Sequence, residues 1–110
     1  MKTTYLPRLT LLACAATLSA GAMGAGDPAA GAIKSFTCMG CHGVPSYNNV
    51  YPTYKVPKIG GQNQPYLVSA LKAYRSGDRK HATMNLQAQS LSDQDIEDIS
   101  AYFASLGGDS

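Results

Sequence analysis

The sequence predicts a small all-α protein, about three to four helices joined by long loops, with a core that its own side chains do not complete. Apolar residues recur at three-to-four spacing behind helix caps, and no segment shows convincing strand alternation. Long stretches rich in proline and glycine separate the periodic segments. The chain of 110 residues has no tryptophan and only two phenylalanines. A domain this poor in hydrocarbon often needs a disulfide, a metal or a cofactor to hold it together.

Residues 1–25 read as a secretory signal peptide rather than as part of the fold. Lys2 and Arg8 precede an apolar run from Leu9 to about Leu18, and the small-residue ends at Ala22 and Ala25 both suit a signal peptidase. The run is short of the roughly 20 residues that span a bilayer. It is also too short ahead of Cys14 for that cysteine to serve as a lipoprotein site. The expected domain is therefore 26–110, with the cut after Ala25 favoured. Loss of the leader removes Cys14 and leaves seven basic residues against seven acidic ones, where the whole chain has a net charge of +2. A near-neutral chain without a basic stripe argues against nucleic-acid binding.

Asp27-Pro28 reads as N-cap and first helical residue, opening a helix through Ala29–Thr37 that ends near Cys38. Gly43 to Gly61 reads as loop, punctuated by Pro45, Pro52, Pro57 and Gly60-Gly61. A loop this long in a small domain suggests a function or something to wrap. Gln64-Pro65 starts a second helix with Leu67, Leu71 and Tyr74 on one face, and Gly77 suits its left-handed end. Residues 78–90 read as irregular. Ser92 and Asp95 form a capping-box start for a last helix, in which Ile96, Ile99, Phe103 and Leu106 repeat before Gly107-Gly108.

The stretch TCMGCHG, Thr37–Gly43, carries the chemistry. A Cys-x-x-Cys pair can be a redox disulfide, half a zinc site or a covalent haem anchor. A redox pair needs a low-pKa thiolate, usually at a helix N-terminus in a βαβ setting, and here no strand is expected. Zinc wants four ligands, commonly from two spaced pairs; only Cys38, Cys41, His42 and His81 are on offer, and the adjacent pair closes a tetrahedron poorly. A structural disulfide across so short a loop stabilises little. Haem explains the features together: two thiols to bond two vinyl groups, His42 beside them as proximal iron ligand, and a macrocycle to complete the core.

The mature chain resembles the class I cytochromes c, above all the small periplasmic kind and a single half of the two-haem c-four type. The likeness rests on GDPAAG, CMGCHG, VPKIGGQNQPYLVSALKAY, a methionine at Met84 and LSDQDIEDISAYFASL, in that order. It implies a class I cytochrome c fold wrapping one covalently attached haem c, with thioethers at Cys38 and Cys41 and iron held by His42. Met84 is the remaining candidate for the distal ligand: Met1 and Met23 leave with the leader, and Met39 sits inside the attachment loop. The resemblance places a distal ligand there too, and His81 is its rival. The resemblance also gives Pro57 a role, its carbonyl accepting from the proximal histidine. Tyr47, Tyr51 and Tyr54 are candidates either for the haem wall and its propionates or for loop packing; NNVYPTYKV departs from the family's shorter segment.

The implied function is a periplasmic carrier of single electrons between larger redox enzymes, not itself an enzyme. Expected partners are redox donors and acceptors, a terminal oxidase, a reductase or a dehydrogenase among them, with the protein peripheral to the membrane at most. The alternative is a haem subunit bound permanently to a dehydrogenase, and a third is a thiol-disulfide enzyme. Lys72, Arg75 and Arg79, set apart from the acids of the last helix, read either as a steering patch or as a solvated face.

Overall fold

The computed structural model describes Met1 and residues 25–107. The expected leader lies outside the described residues apart from Met1 and Ala25, as do residues 108–110. The order is α1 (Pro28–Lys34), α2 (Phe36–His42), β1 (Asn48–Val50), β2 (Thr53–Lys55), α3 (Gln64–Ser76), α4 (Ala82–Ala88) and α5 (Asp93–Ser105). The all-helical expectation holds, with five helices rather than three or four and one small hairpin among the described residues.

The caps fall where side-chain chemistry puts them. The Asp27 side chain accepts from the Ala29 N–H and Pro28 takes the first turn. Ser35 interrupts the helix, yet backbone bonds run across it, from Ser35 N–H to the Gly31 carbonyl and from Met39 N–H to the Ser35 carbonyl. Cys38–His42 therefore lies inside a helix rather than just past one, and that helix runs through Gly40 to a C-cap at Gly43. Asn63 caps α3 through the Tyr66 N–H, and Gly77 closes it at φ 85°. Ser92 and Asp95 form a reciprocal capping box on α5.

Two segments read as irregular are ordered. Asn48–Val50 pairs antiparallel with Thr53–Lys55, in register Asn49↔Tyr54. Asn49 Nδ2 donates to the Pro52 carbonyl and Thr53 Oγ1 to that of Val50, tying the turn. Three-residue strands are too short to display alternation. Ala82–Ala88 is the second correction: two turns headed by a histidine offer no Ser, Thr, Asp or Asn start signal.

The first and last helices pack directly. Gly31 lets α1 approach α5 so closely that a Cβ there would overlap the Asp98 carbonyl. The Asp98 carboxylate accepts from the Asp27 N–H (2.8 Å), the Gln94 amide (2.8 Å) and the Lys34 ammonium (2.6 Å), which clamps the start of the domain to α5. α3 also packs on α5, and Leu67, Ile99 and Phe103 form the buried cluster between them. The Gly61 N–H donates to the Phe103 carbonyl (2.8 Å), fastening the long loop to the same helix. Each of these three side chains stabilises by about 1.5–3 kcal/mol through burial. No helix of the described residues is long and apolar enough to cross a membrane.

Candidate functional site

Helix α2 places the motif on one face. Residues three and four apart are neighbours on a helix, so Cys38, Cys41 and His42 turn the same way, and all three line one cavity of about 430 Å³. That size lies within the roughly 300–1,000 Å³ common for cofactor sites. Both thiols are free. Burial pushes the Cys38 thiol up from its ordinary value, the opposite of what a redox nucleophile needs. Among the described residues no group of three His, Cys, Asp or Glu side chains is placed to hold a metal ion by itself.

His42 is oriented by the loop that follows β2. Its Nδ1 lies 2.7 Å from the Pro57 carbonyl oxygen. A carbonyl only accepts, so Nδ1 carries the proton and Nε2 keeps the lone pair that could bind a metal. Phe103 meets the imidazole edge-on, centroids 6.4 Å apart. Pro57 lies two residues past β2, at the start of the loop that leads to α3.

Met84 reaches the same cavity from α4, a separate element. It sits in a helix rather than in the expected loop. His81 lines the cavity as well but heads that helix: its Nδ1 accepts from Met84's own N–H at 3.3 Å. Its ring packs edge-on against Tyr54, with centroids 4.7 Å apart. Met39 packs instead against the buried cluster of α3 and α5.

The cavity fits a haem on its own chemistry. Its apolar wall includes Val56, Ile59, Leu71 and Ile99, and the charged residues that line it are Lys55, Lys58 and Arg79, with no carboxylate among them. That charge suits a ring whose carboxylates are anionic. Ser100 lines the cavity, and its buried hydroxyl has no hydrogen-bond partner among the described residues, which leaves a donor for whatever the cavity holds. The residues that could hold the group are thus two thiols, an oriented imidazole and a thioether.

Of the tyrosines, Tyr54 lines the cavity and donates to Thr83 Oγ1 (3.0 Å), whereas Tyr51 at the hairpin tip is 96% exposed. The basic patch is not separate from the acids. Arg75 bonds Asp93 and the Leu91 carbonyl, and Asp93 is held below the usual carboxylate range chiefly by that guanidinium. Arg79 lies 4.8 Å over the Tyr74 ring and donates to the Tyr66 hydroxyl. Tyr54 is a candidate for the wall from sequence, whereas the cavity positions of Arg79 and Ser100 carry no sequence signal, because each depends on elements brought together from distant positions.

A family model described as cytochrome c matches residues 29–107. Cytochrome c-554(548) of Halomonas halodenitrificans is 49% identical over 84 residues, covering 74% of this chain and 98% of the relative. Cytochrome c4 of Pseudomonas aeruginosa is 42% identical over 81 residues, 74% of this chain but only 39% of that longer protein. A protein named the cytochrome subunit of sulfide dehydrogenase, from Chlorobaculum tepidum, is 30% identical over 76 residues, 69% of this chain and 66% of the relative.

Proposed function

The chain belongs to the cytochrome c family, whose members carry electrons on covalently bound haem c, and from that premise we propose the finer reading. It is an exported, single-haem shuttle between larger redox proteins, working in the periplasm, with residues 1–25 as its cleaved leader and 26–110 as its domain. Cys38 and Cys41 form the thioethers, and His42 and Met84 hold the iron. One observation carries this: all four side chains line a single cavity, and the Pro57 carbonyl fixes which imidazole nitrogen faces it. When bound, the haem would supply a one-electron iron couple, with His42 and Met84 as the residues that would hold the iron and raise its potential.

The chain's own part is placement and exclusion. The Pro57 carbonyl fixes the tautomer and ring angle of His42, α4 presents Met84, and Ile59, Leu71 and Ile99 keep water from the ring. We assign it no substrate chemistry of its own; its partners are redox proteins.

The deciding experiment is a visible spectrum, oxidised and reduced, of protein exported with haem-maturation machinery, repeated after denaturation. Haem that stays with the denatured chain, sharp reduced bands and a weak far-red band in the oxidised state are expected. Covalent haem without the far-red band would remove Met84 from the iron. A colourless protein with two titratable thiols would end the reading. A fixed subunit of a dehydrogenase is the second reading, favoured by the relative whose name places it in sulfide dehydrogenase. Purification at native abundance decides it: a larger chain that stays bound through salt washing makes this a subunit.

A further inference from the structure

Met84 is the third residue of a helix only seven residues long, Ala82–Ala88. A helix of two turns does not hold itself together in water, so the position of Met84 must come from ties to the rest of the fold. The strongest ties converge on the next residue. Asn85 Nδ2 donates to the carbonyl of Tyr74 (2.7 Å), in the last turn of α3, and to the carbonyl of Arg79 (2.8 Å). Its Oδ1 accepts from the backbone N–H of His81 (2.9 Å). One amide thereby uses both donors and its acceptor to close the whole connector from α3 to α4. The other ties are single: Tyr54 to Thr83 Oγ1 from the hairpin, and the longer His81 cap at 3.3 Å.

We infer that Asn85 is the positioning residue for Met84, holding α4 so that the thioether stays at the cavity; this rests on the reading of Met84 as the distal iron ligand. The side chain acts through the backbone on either side of its neighbour. The connector carbonyls point at donors that only an amide of this length supplies, and the connector N–H points at the one oxygen of the same group. Removal of the amide unties the Tyr74 and Arg79 carbonyls and the His81 N–H, leaving the Arg79 N–H bond to the Ala73 carbonyl on the α3 side. Met84 is then held by the Thr83 bond, the His81 cap and the packing of α4 on α3, where Ala88 is buried.

The test uses isosteres in the haem-bearing protein. Asn85→Asp keeps the shape, removes both donors and turns a carboxylate toward two carbonyl oxygens. Asn85→Ala removes all three bonds, and Asn85→Gln keeps the amide but displaces it. Added imidazole competes with Met84 for the iron, so its affinity reports how firmly Met84 is held. Asn85→Asp and Asn85→Ala are expected to bind imidazole about tenfold or more tightly than the native protein, as loss of hydrogen bonds of ordinary strength implies. The far-red band should also fade on warming at temperatures well below unfolding by far-ultraviolet circular dichroism, and the reduction potential should fall. Asn85→Gln should lie between, and it carries the same test if Asn85→Asp fails to mature. Thr83→Val should give a smaller shift. If the Asn85 variants melt early yet keep the native imidazole affinity, far-red band and potential, Asn85 merely stabilises a turn and the proposal is wrong. Met84→Ala separates the two readings: if it leaves band and potential unchanged, the ligand assignment has failed, and Asn85 has nothing to position.

Discussion

Replacing Gly31 with alanine tests the α1–α5 crossing by the sign of its effect. In an open helix the change stabilises, because alanine exceeds glycine by about 1 kcal/mol in helix propensity. At Gly31 the added carbon would overlap the Asp98 carbonyl oxygen and lie 2.6 Å from its carbon and 2.8 Å from the Tyr102 Cβ. None of these is the tip of a flexible side chain, so the two helices must part. Overpacking of this kind costs about 1–3 kcal/mol, and rigid neighbours put this site at the upper end. After the propensity gain, a net loss of about 1–2 kcal/mol remains, which for a domain of this size lowers the melting temperature by roughly 5–15 °C. Gly40 is the control: a Cβ there meets nothing within 4 Å, so Gly40→Ala should gain up to about 1 kcal/mol. Thermal unfolding of the haem-bearing proteins at one pH reads both. A Gly31→Ala protein that melts at or above the native temperature would refute the close approach.

Ile99, 2% exposed, belongs to both the buried cluster and the cavity wall. Ile99→Ala should cost about 2–5 kcal/mol in denaturant unfolding, and a loss under ~1 kcal/mol would mean the wall collapses to fill the gap. Acid stability should depend on the Lys34–Asp95–Asp98 cluster. Lys34 foremost holds the Asp95 carboxyl down at about 2, below its unfolded value, so this contribution is complete above about pH 4 and drains away as the pH falls toward 2. Melting temperatures measured from pH 5 to 2 should fall less steeply in Lys34→Gln than in the native protein; equal slopes would exclude the cluster. The double variant Arg75→Gln/Asp93→Asn should leave the salt dependence of electron transfer unchanged, because the two charges already neutralise each other. A flatter salt dependence in stopped-flow measurements would show that Arg75 steers partners after all.

Sequence reading reached the features whose signals are local. The caps at Asp27 and Ser92, the Gly77 stop and the Leu67, Ile99 and Phe103 positions follow from a few adjacent residues each. Cys38, Cys41 and His42 are similarly legible as a candidate set, because three ligating residues within five positions have few uses. α4 was not: its cap is a histidine, and its order comes from Asn85 reaching back to Tyr74 and Arg79. The hairpin escaped for a related reason, its three-residue strands being fixed by turn bonds of Asn49 and Thr53 rather than by a pattern. Arg75 read as part of a free basic face because its partner, Asp93, lies eighteen residues away. Local chemistry is visible in a sequence; closure over distance is not.

The clamp between Asp27 and Asp98 spans 71 positions, and its consequence is kinetic. Helical proteins fold fast when their contacts are local, but here the first described helix packs on the last. Bringing the ends of a 71-residue segment together costs roughly 4 kcal/mol of chain entropy on the (3/2)RT ln n scaling, before any contact between them returns a gain. The chain should therefore fold more slowly than a bundle of equal length and helix content. Mutations at the α1–α5 crossing should slow refolding to the extent that this long loop is already closed at the rate-limiting step.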